Sequence, residues 1–214
     1  MPDWTKSMQR TYEYYIVDPG SWTDKRQIKT VTKSKIERDS SADTLGSASI
    51  EATEALGECY VRVYLVTIQN GIREKFSLGT FLVQTPSTTY DGRVKKITMD
   101  AYTPLLELKE NPPPLGYSVM KNENIMDSVY NLCWTHMRGP VVKTTTDDKL
   151  YSDFVANTDD TWLTYVKDLA ANAKYELGLD EYSRLIFMPE QDTESLQPVW
   201  QYDDDNSSIL YSDI

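Results

Sequence analysis

Tyr60–Ile68 (YVRVYLVTI), closely followed by Asn70-Gly71 and Glu74–Gln84 (EKFSLGTFLVQ), is the stretch whose reading decides the fold. Its residues are almost all β-branched, aromatic or aliphatic, the types that suit a pleated and half-buried surface. The run is too short to cross a membrane and is interrupted by Arg62 and Thr67. Asn-Gly between two such runs is the signature of a two-residue type I′ turn, because both central residues must take positive φ. The segment therefore reads as an antiparallel hairpin. Gly79 inside its second arm marks a bulge or a barrel corner.

Working outward, strands are predicted at Tyr12–Val17, Gln27–Ile36, Ser47–Thr53 and Val94–Tyr102, the first closed by the Asp18-Pro19-Gly20 turn. A second turn, Asp91-Gly92, precedes the last of them. Gln27–Ile36 reads as a single strand with a basic face, Lys29, Lys33 and Lys35, exposed at an edge where lysines discourage mispairing. Strands at hairpin spacing with little helical periodicity predict an antiparallel β-barrel or sandwich over residues 1–110. Val61, Val63, Leu65 and Phe81 are its expected core, Tyr64 and Val66 on the other parity suggest a second covered face, and no helix is expected anywhere in Tyr60–Val83.

Asn111-Pro112-Pro113-Pro114-Leu115-Gly116 then holds the chain extended and marks a boundary. Residues 111–214 read as an α/β domain with two helices and a short sheet. Ile125, Val129, Leu132, Cys133 and His136 fall at helical spacing, with Asn122 or Asn124 as N-cap and Gly139-Pro140 as the stop. A second helix carries Trp162, Val166, Leu169, Ala170 and Ala173 on one face, with caps offered by Asn157-Thr158-Asp159-Asp160. Leu185–Met188 reads as a strand after a turn at Asp180–Arg184. Lys149–Ala156 is ambiguous, and the acidic tail Gln197–Ile214 holds a last strand at Ser207–Tyr211. The fold class is α+β.

Composition narrows the chemistry. The 214 residues carry 22 Lys and Arg against 33 Asp and Glu, a net charge of −11 that repels phosphate polyanions. No specific nucleic-acid binding and no polybasic membrane contact are expected. The N-terminus has no apolar core of a secretory signal, and assembly in the cytosol is expected. The single histidine and two cysteines cannot complete a zinc site, and Cys59 and Cys133 read as buried free thiols. Fifteen tyrosines and five tryptophans are a surplus of the residue types that suit interfaces.

Candidate catalytic groups are few. His136 lies on an apolar helix face beside Cys133 and reads as a core or interface residue rather than a base. Asp203-Asp204-Asp205 lacks the glycine and glutamate of a calcium loop and reads as a solvated turn. Glu190, Asp192 and Glu194 alternate, but carboxylate pairs are defined by separation in space. No Gly-rich phosphate loop is present. No catalytic, cofactor-binding or metal residue is therefore expected, and no cofactor.

Several strings, taken in order, resemble one family. Phe76–Val83 (FSLGTFLV) before Tyr90-Asp91-Gly92 resembles the first barrel of tailed-phage and prophage baseplate-hub, or tail-tip, proteins. So do Ala101-Tyr102 with Leu105–Leu108, Pro114–Tyr117, Asp160–Leu163, Leu179–Pro189, and Gln197–Trp200 with Ser208–Tyr211. The resemblance implies a non-enzymatic virion structural protein joining the tail tube to the distal tip through contacts with tail tube, distal tail and tip proteins. It implies a homotrimer of the full-length chain, whose two barrels per subunit make a pseudo-sixfold ring, and a location in the virion tail after assembly in the host cytoplasm. The chain stops at Ile214, about where a second barrel would begin, as expected of a fragment or a truncated prophage gene product. A monomer or weak oligomer is then expected of this chain alone. The competing reading is a cell-wall-hydrolase-associated or carbohydrate-binding tail module.

Overall fold

The computed structural model describes residues 2–90, 92–93 and 95–191. Seven strands form one antiparallel sheet: β1 (Gln9–Asp18), β2 (Thr23–Ile28), β3 (Val31–Glu37), β4 (Ser47–Ala52), β5 (Cys59–Gln69), β6 (Ile72–Tyr90) and β7 (Lys95–Tyr102). Their order is β2-β1-β5-β6-β7-β4-β3. The deciding hairpin is β5–β6, with Gln69 facing Ile72 across Asn70 (φ 52°) and Gly71 (φ 77°), the two positive dihedrals a type I′ turn requires.

Of the two closures expected, the sheet is not a closed barrel. β2 pairs only with β1 and β3 only with β4, so the backbone leaves a seam between the two edges. The sheet nevertheless folds over itself like a sandwich. Ile28, Ala48, Ile50, Val61, Val63, Phe81, Val83, Ile97 and Met99 share one core, with Val31 and Ile36 packed against it. A side-chain hydrogen bond between Tyr14 Oη and Ser34 Oγ (2.8 Å) spans β1 and β3 across the seam.

Gln27–Ile36 is not one strand. It breaks at Lys29-Thr30, where the Thr30 carbonyl accepts the Thr53 N–H at 3.0 Å. That bond starts β3 beside β4, while Ile28 ends β2 beside β1, so the two halves form opposite edges of the sheet. Leu65 also departs from expectation and is half-buried, because it pairs with Tyr12 and Phe76 where the hairpin runs past the core. The other parity of β5 is covered as well: Tyr60, Arg62, Tyr64 and Val66 are buried. A strand covered on both faces cannot show clean alternation.

Gly79 is the expected bulge. Val63 faces Gly79 while the next residue, Tyr64, faces Ser77, so the β6 strand carries an extra residue there. Gly79 has φ 137°, and a Cβ built on it would lie 2.9 Å from the Phe81 ring. Gly79→Ala is expected to lower unfolding stability by about 1–3 kcal/mol, the range for a non-glycine residue in a glycine-only backbone region. A urea midpoint equal to wild type would contradict this.

Beyond the sheet come α1 (Leu106–Lys109), β8 (Ser118–Val119), α2 (Ile125–His136), β9 (Phe154–Val155), α3 (Trp162–Ala171), β10 (Tyr175–Leu179) and β11 (Leu185–Pro189). β8 pairs β9 and β10 pairs β11, so the described residues hold two small sheets and three helices where one sheet and two helices were expected. The extra helix is a single turn, too short to show periodicity. It contributes Leu105 and Leu108 to a second core with Met126, Val129, Cys133, Trp162, Val166, Leu169, Leu185 and Phe187.

Asn124, rather than Asn122, caps α2, its side chain accepting the Asp127 N–H at 2.9 Å. The cap of α3 is Thr161, one residue past the expected segment, and a reciprocal pair with Thr164 satisfies both free N–H groups. Asp160 assists by accepting from Thr164 Oγ1. No helix among the described residues is long and apolar enough to cross a membrane. The tail strand at Ser207–Tyr211 and the acids Asp203–Asp205 lie outside the described residues.

Candidate functional site

The Gly79 bulge does more than bend β6. It turns Thr80 toward the loop between β10 and β11. There the Thr80 N–H donates to Ser183 Oγ (2.8 Å) and its hydroxyl donates to the Tyr182 carbonyl (2.9 Å). Trp22 Nε1 donates to the same carbonyl at 3.0 Å, and Arg38 Nη2 donates to the Asp180 carbonyl at 3.0 Å. Two backbone specials make this fit possible, Gly79 on the sheet and Ser183 in the left-handed region at φ 57°.

Arg62 lies at the centre of this joint. Only 4 % of it is exposed, and its fork is filled: Nε donates to Thr80 Oγ1 (2.9 Å), Nη1 to Asp24 Oδ1 (3.0 Å) and Nη2 to the Trp22 carbonyl (3.0 Å). The guanidinium also lies over the Tyr182 ring at 5.2 Å. A buried guanidinium with planar, directional partners fixes orientation as well as distance. The sequence reading took Arg62 as a polar interruption. Tyr64 and Val66, on the same parity as Arg62, are the signal for the second covered face that buries it.

Beside the joint, Asp24 also accepts from the Tyr64 hydroxyl at 2.8 Å, and Lys75 Nζ lies 3.6 Å from the Tyr64 ring centroid and 3.9 Å from that of Tyr15. Carboxylates of Glu13 and Asp24 stand 3.7 and 3.9 Å from the same ammonium. An ammonium on aromatic faces with carboxylates at the rim is a strongly favoured arrangement when partly desolvated. It recurs on α2, where Lys143 meets Asp127 at 2.8 Å and the Tyr130 ring at 5.5 Å.

His136 is where helical periodicity put it, on α2, and stacks on Trp162 with centroids 4.1 Å apart and planes 17° from parallel. Burial against that ring lowers its pKa below the ordinary 6.5. Unfolding therefore releases a group that protonates more readily, so this site costs stability as pH falls below about 6.5. Above that value both states are neutral and the effect vanishes. His136→Phe, which keeps a ring on Trp162 but cannot titrate, is expected to flatten the stability profile between pH 7 and 5 relative to wild type. Parallel profiles for the two proteins would show that His136 contributes nothing to the acid limb.

Cys133 is buried, and burial pushes its thiol up to about 12, the opposite of an activated nucleophile. Cys59 is half-buried and its pKa is also raised by burial. Among the described residues, no group of three or more His, Cys, Asp or Glu is placed to hold a metal ion. Glu190 is exposed, and Asp192 and Glu194 lie outside the described residues. Lys29, Lys33 and Lys35 are exposed, flanking the break and along β3.

The sequence reading missed a groove where the end of α2 meets β6. It has a volume of about 470 Å³, lined among others by Glu58, Gln84, Glu107, Glu110, Trp134 and Arg138. Trp134 is 65 % exposed and stacks on Tyr130 one turn earlier, centroids 6.3 Å apart. Arg138 bridges Glu58 and Glu107, leaving the carboxylate of Glu110 outside that network. Below them Tyr60 is buried, and burial raises the pKa of its hydroxyl. The site as a whole offers an exposed groove and a rigid, buried joint.

No protein-family model matches the chain, and no curated protein matches it. Solved structures do. The tail protein from Neisseria meningitidis MC58 superposes with a TM-score of 0.59 at 12% identity, over 83% of this chain and 51% of that one. The 43 kDa tail protein of prophage MuSo2 from Shewanella oneidensis gives 0.53 at 14% identity, over 83% and 52%. A chain of the lidded Francisella PdpA-VgrG complex gives 0.52 at 9% identity, over 93% and 31%. The chain thus spans about half the length of the two tail proteins and under a third of the third. It has a fold that phage and prophage tail proteins share.

Proposed function

We propose that this protein is a structural component of a phage or prophage tail, a baseplate-hub or tail-tip subunit joining the tail tube to the distal tip. The observation that carries the reading is the shared fold over 83% of the chain with two tail proteins. The ordered strings that resemble baseplate-hub proteins support the finer assignment. A sheet domain at 1–110 and an α/β domain at 111–214, a homotrimer of the full-length protein, and contacts with tube, distal-tail and tip proteins belong to the same proposal.

The role is non-enzymatic. The buried Cys133, with its raised pKa, and His136, with its lowered one, support this, since neither is poised as a nucleophile or a charged partner for one.

Immunogold labelling of induced tail particles with an antibody to this chain tests the proposal. Label at the distal end of the tube is the expected result. Particles carrying label on the head or along the tube, or none at all, would overturn it. Clearing of peptidoglycan by the purified protein, abolished by His136→Ala, would overturn the non-enzymatic part.

A further inference from the structure

Trp162 holds two further rings in place. His136 stacks on its face with centroids 4.1 Å apart, and Tyr117 meets it edge-on at 4.9 Å. Tyr117 also meets the Tyr165 ring at 5.6 Å, so it is fixed from two sides. Trp162 and Tyr165 are buried, whereas Tyr117 and His136 are half-buried. The half-buried pair lines a concavity of about 300 Å³ beside α2, together with the buried side chains of Val119 and Leu132. That volume is at the lower end of the range for small-ligand sites, roughly 300–1,000 Å³. Neither Arg138 nor any other lysine or arginine lines it.

The polar groups around it are rich in acceptors. Ser128, Asn131 and Thr135 follow one another at three- and four-residue spacing on α2 and so share one helix face. The Ser128 and Thr135 hydroxyls donate to the Asn124 and Asn131 carbonyls at 2.9 and 2.7 Å, which leaves each oxygen its lone pairs. Glu123 adds a carboxylate 3.5 Å from Ser128 Oγ. Burial, with that carboxylate nearby, raises the pKa of the Tyr117 hydroxyl above its ordinary 10. Among these acceptors stand three groups that no described residue engages: the Tyr117 hydroxyl, the Asn131 side-chain amide and the His136 ring nitrogens. An anion would be repelled by Glu123. An ammonium would match the acceptors but not the amide and hydroxyl donors, and a proline-rich peptide would offer carbonyls with few donors. Hydroxyls both donate and accept, and so match the whole set.

We propose that this concavity binds a neutral pyranose sugar. The C–H face of the sugar packs against the His136 and Tyr117 rings, and its hydroxyls are shared among Glu123, Asn131 and the α2 hydroxyls. Because Trp162 and Tyr165 already fix the two rings, little side-chain freedom is lost on binding. An aromatic body beside polar partners suits a ligand that is apolar on one face and wet at its rim. The proposal makes no use of the tail reading. Sugar binding is measured on purified protein, whereas the labelling experiment reads location, so either can fail without the other.

His136 is the one histidine of the chain, so its imidazole proton signals report on this wall alone. Proton NMR of the full chain at about pH 7.5, where the imidazole is neutral, is followed while glucose, galactose or N-acetylglucosamine is added. A ligand of this size binds with a dissociation constant of roughly 1–10 mM, so each sugar is taken to about 50 mM. A saturable movement of the His136 signals with at least one of the three is the expected result. The double variant Glu123→Gln/Asn131→Ala should raise the dissociation constant about tenfold, the scale of a lost hydrogen bond to a charged group. Both positions are exposed, and an unchanged thermal midpoint with unmoved His136 signals before sugar is added checks that the variant keeps the ring cluster. Tyr117→Phe, which keeps the ring and removes the hydroxyl, should weaken binding by less. No saturable movement with any of the three sugars would overturn the proposal, as would an affinity that the double variant leaves unchanged. Movement with tetraproline or tetramethylammonium but with none of the sugars would assign the concavity to that chemistry and overturn it too.

Discussion

Arg62→Ala is expected to lower the unfolding free energy by about 3 kcal/mol in urea denaturation. Removing one member of a buried, hydrogen-bonded ion pair costs about 3–5 kcal/mol, because the remaining charge and acceptors lose their partner without regaining water. The lower end applies here, since the Asp24 side chain keeps 26 % of its exposure and can rehydrate. Thr80 Oγ1 and the Trp22 carbonyl would lose their donor as well. The exposed pair Lys35–Glu37 provides the contrast: Lys35→Ala should change stability by less than about 0.5 kcal/mol, as surface substitutions usually do. Arg62→Lys should fall between the two, keeping the charge but losing the planar fork. Equal effects at positions 62 and 35 would mean that the joint does not hold the sheet to the β10–β11 turn.

Trp162→Ala should be comparably damaging, about 3–5 kcal/mol, the cost of truncating a large buried aromatic and leaving a cavity. Its ring makes an edge contact with Tyr117 at 4.9 Å, stacks on His136 and lies 6.1 Å from Tyr165. Tyr165 in turn ties β8 and β9 together, its hydroxyl donating to the Phe154 carbonyl at 2.7 Å and accepting the Val119 N–H at 3.2 Å. A loosened Trp162 therefore reaches the small sheet. A second measurement reports the same event independently. Without the indole, His136 regains water, so its pKa, followed by proton NMR, should rise toward 6.5. A stable variant with an unmoved histidine titration would show that the stack is incidental to both the packing and the pKa.

These two residues also mark how far the sequence could be read. Trp162 and His136 were placed on the apolar faces of their helices by spacing alone, and the fold puts them in contact although 26 positions separate them. That contact required α2 and α3 to pack together, which periodicity cannot specify. Arg62 was visible as a residue out of character with its strand. Its partners come from Asp24, Thr80 and the Tyr182 region, brought together by a bulge and a distant turn. The Trp134 groove had no local signature at all, because its walls come from α1 and the residues after it, the end of α2, β6 and the residue before β5.

What the chain determined by local chemistry is the set of strands and helices around its clearest signals: the Asn70-Gly71 hairpin, the Gly79 bulge and an asparagine cap at the start of α2. Each depends on a dihedral preference or a hydrogen bond within a few residues, so composition and spacing carry it. The split of Gln27–Ile36 into two edges and the open seam were decided only by tertiary structure. An extended segment obeys the same period of two whether it is one strand or two. Which neighbour takes up its hydrogen bonds is a property of the whole sheet. The Thr53 N–H bonding to the Thr30 carbonyl, rather than any residue between 27 and 36, moves the chain from one edge to the other.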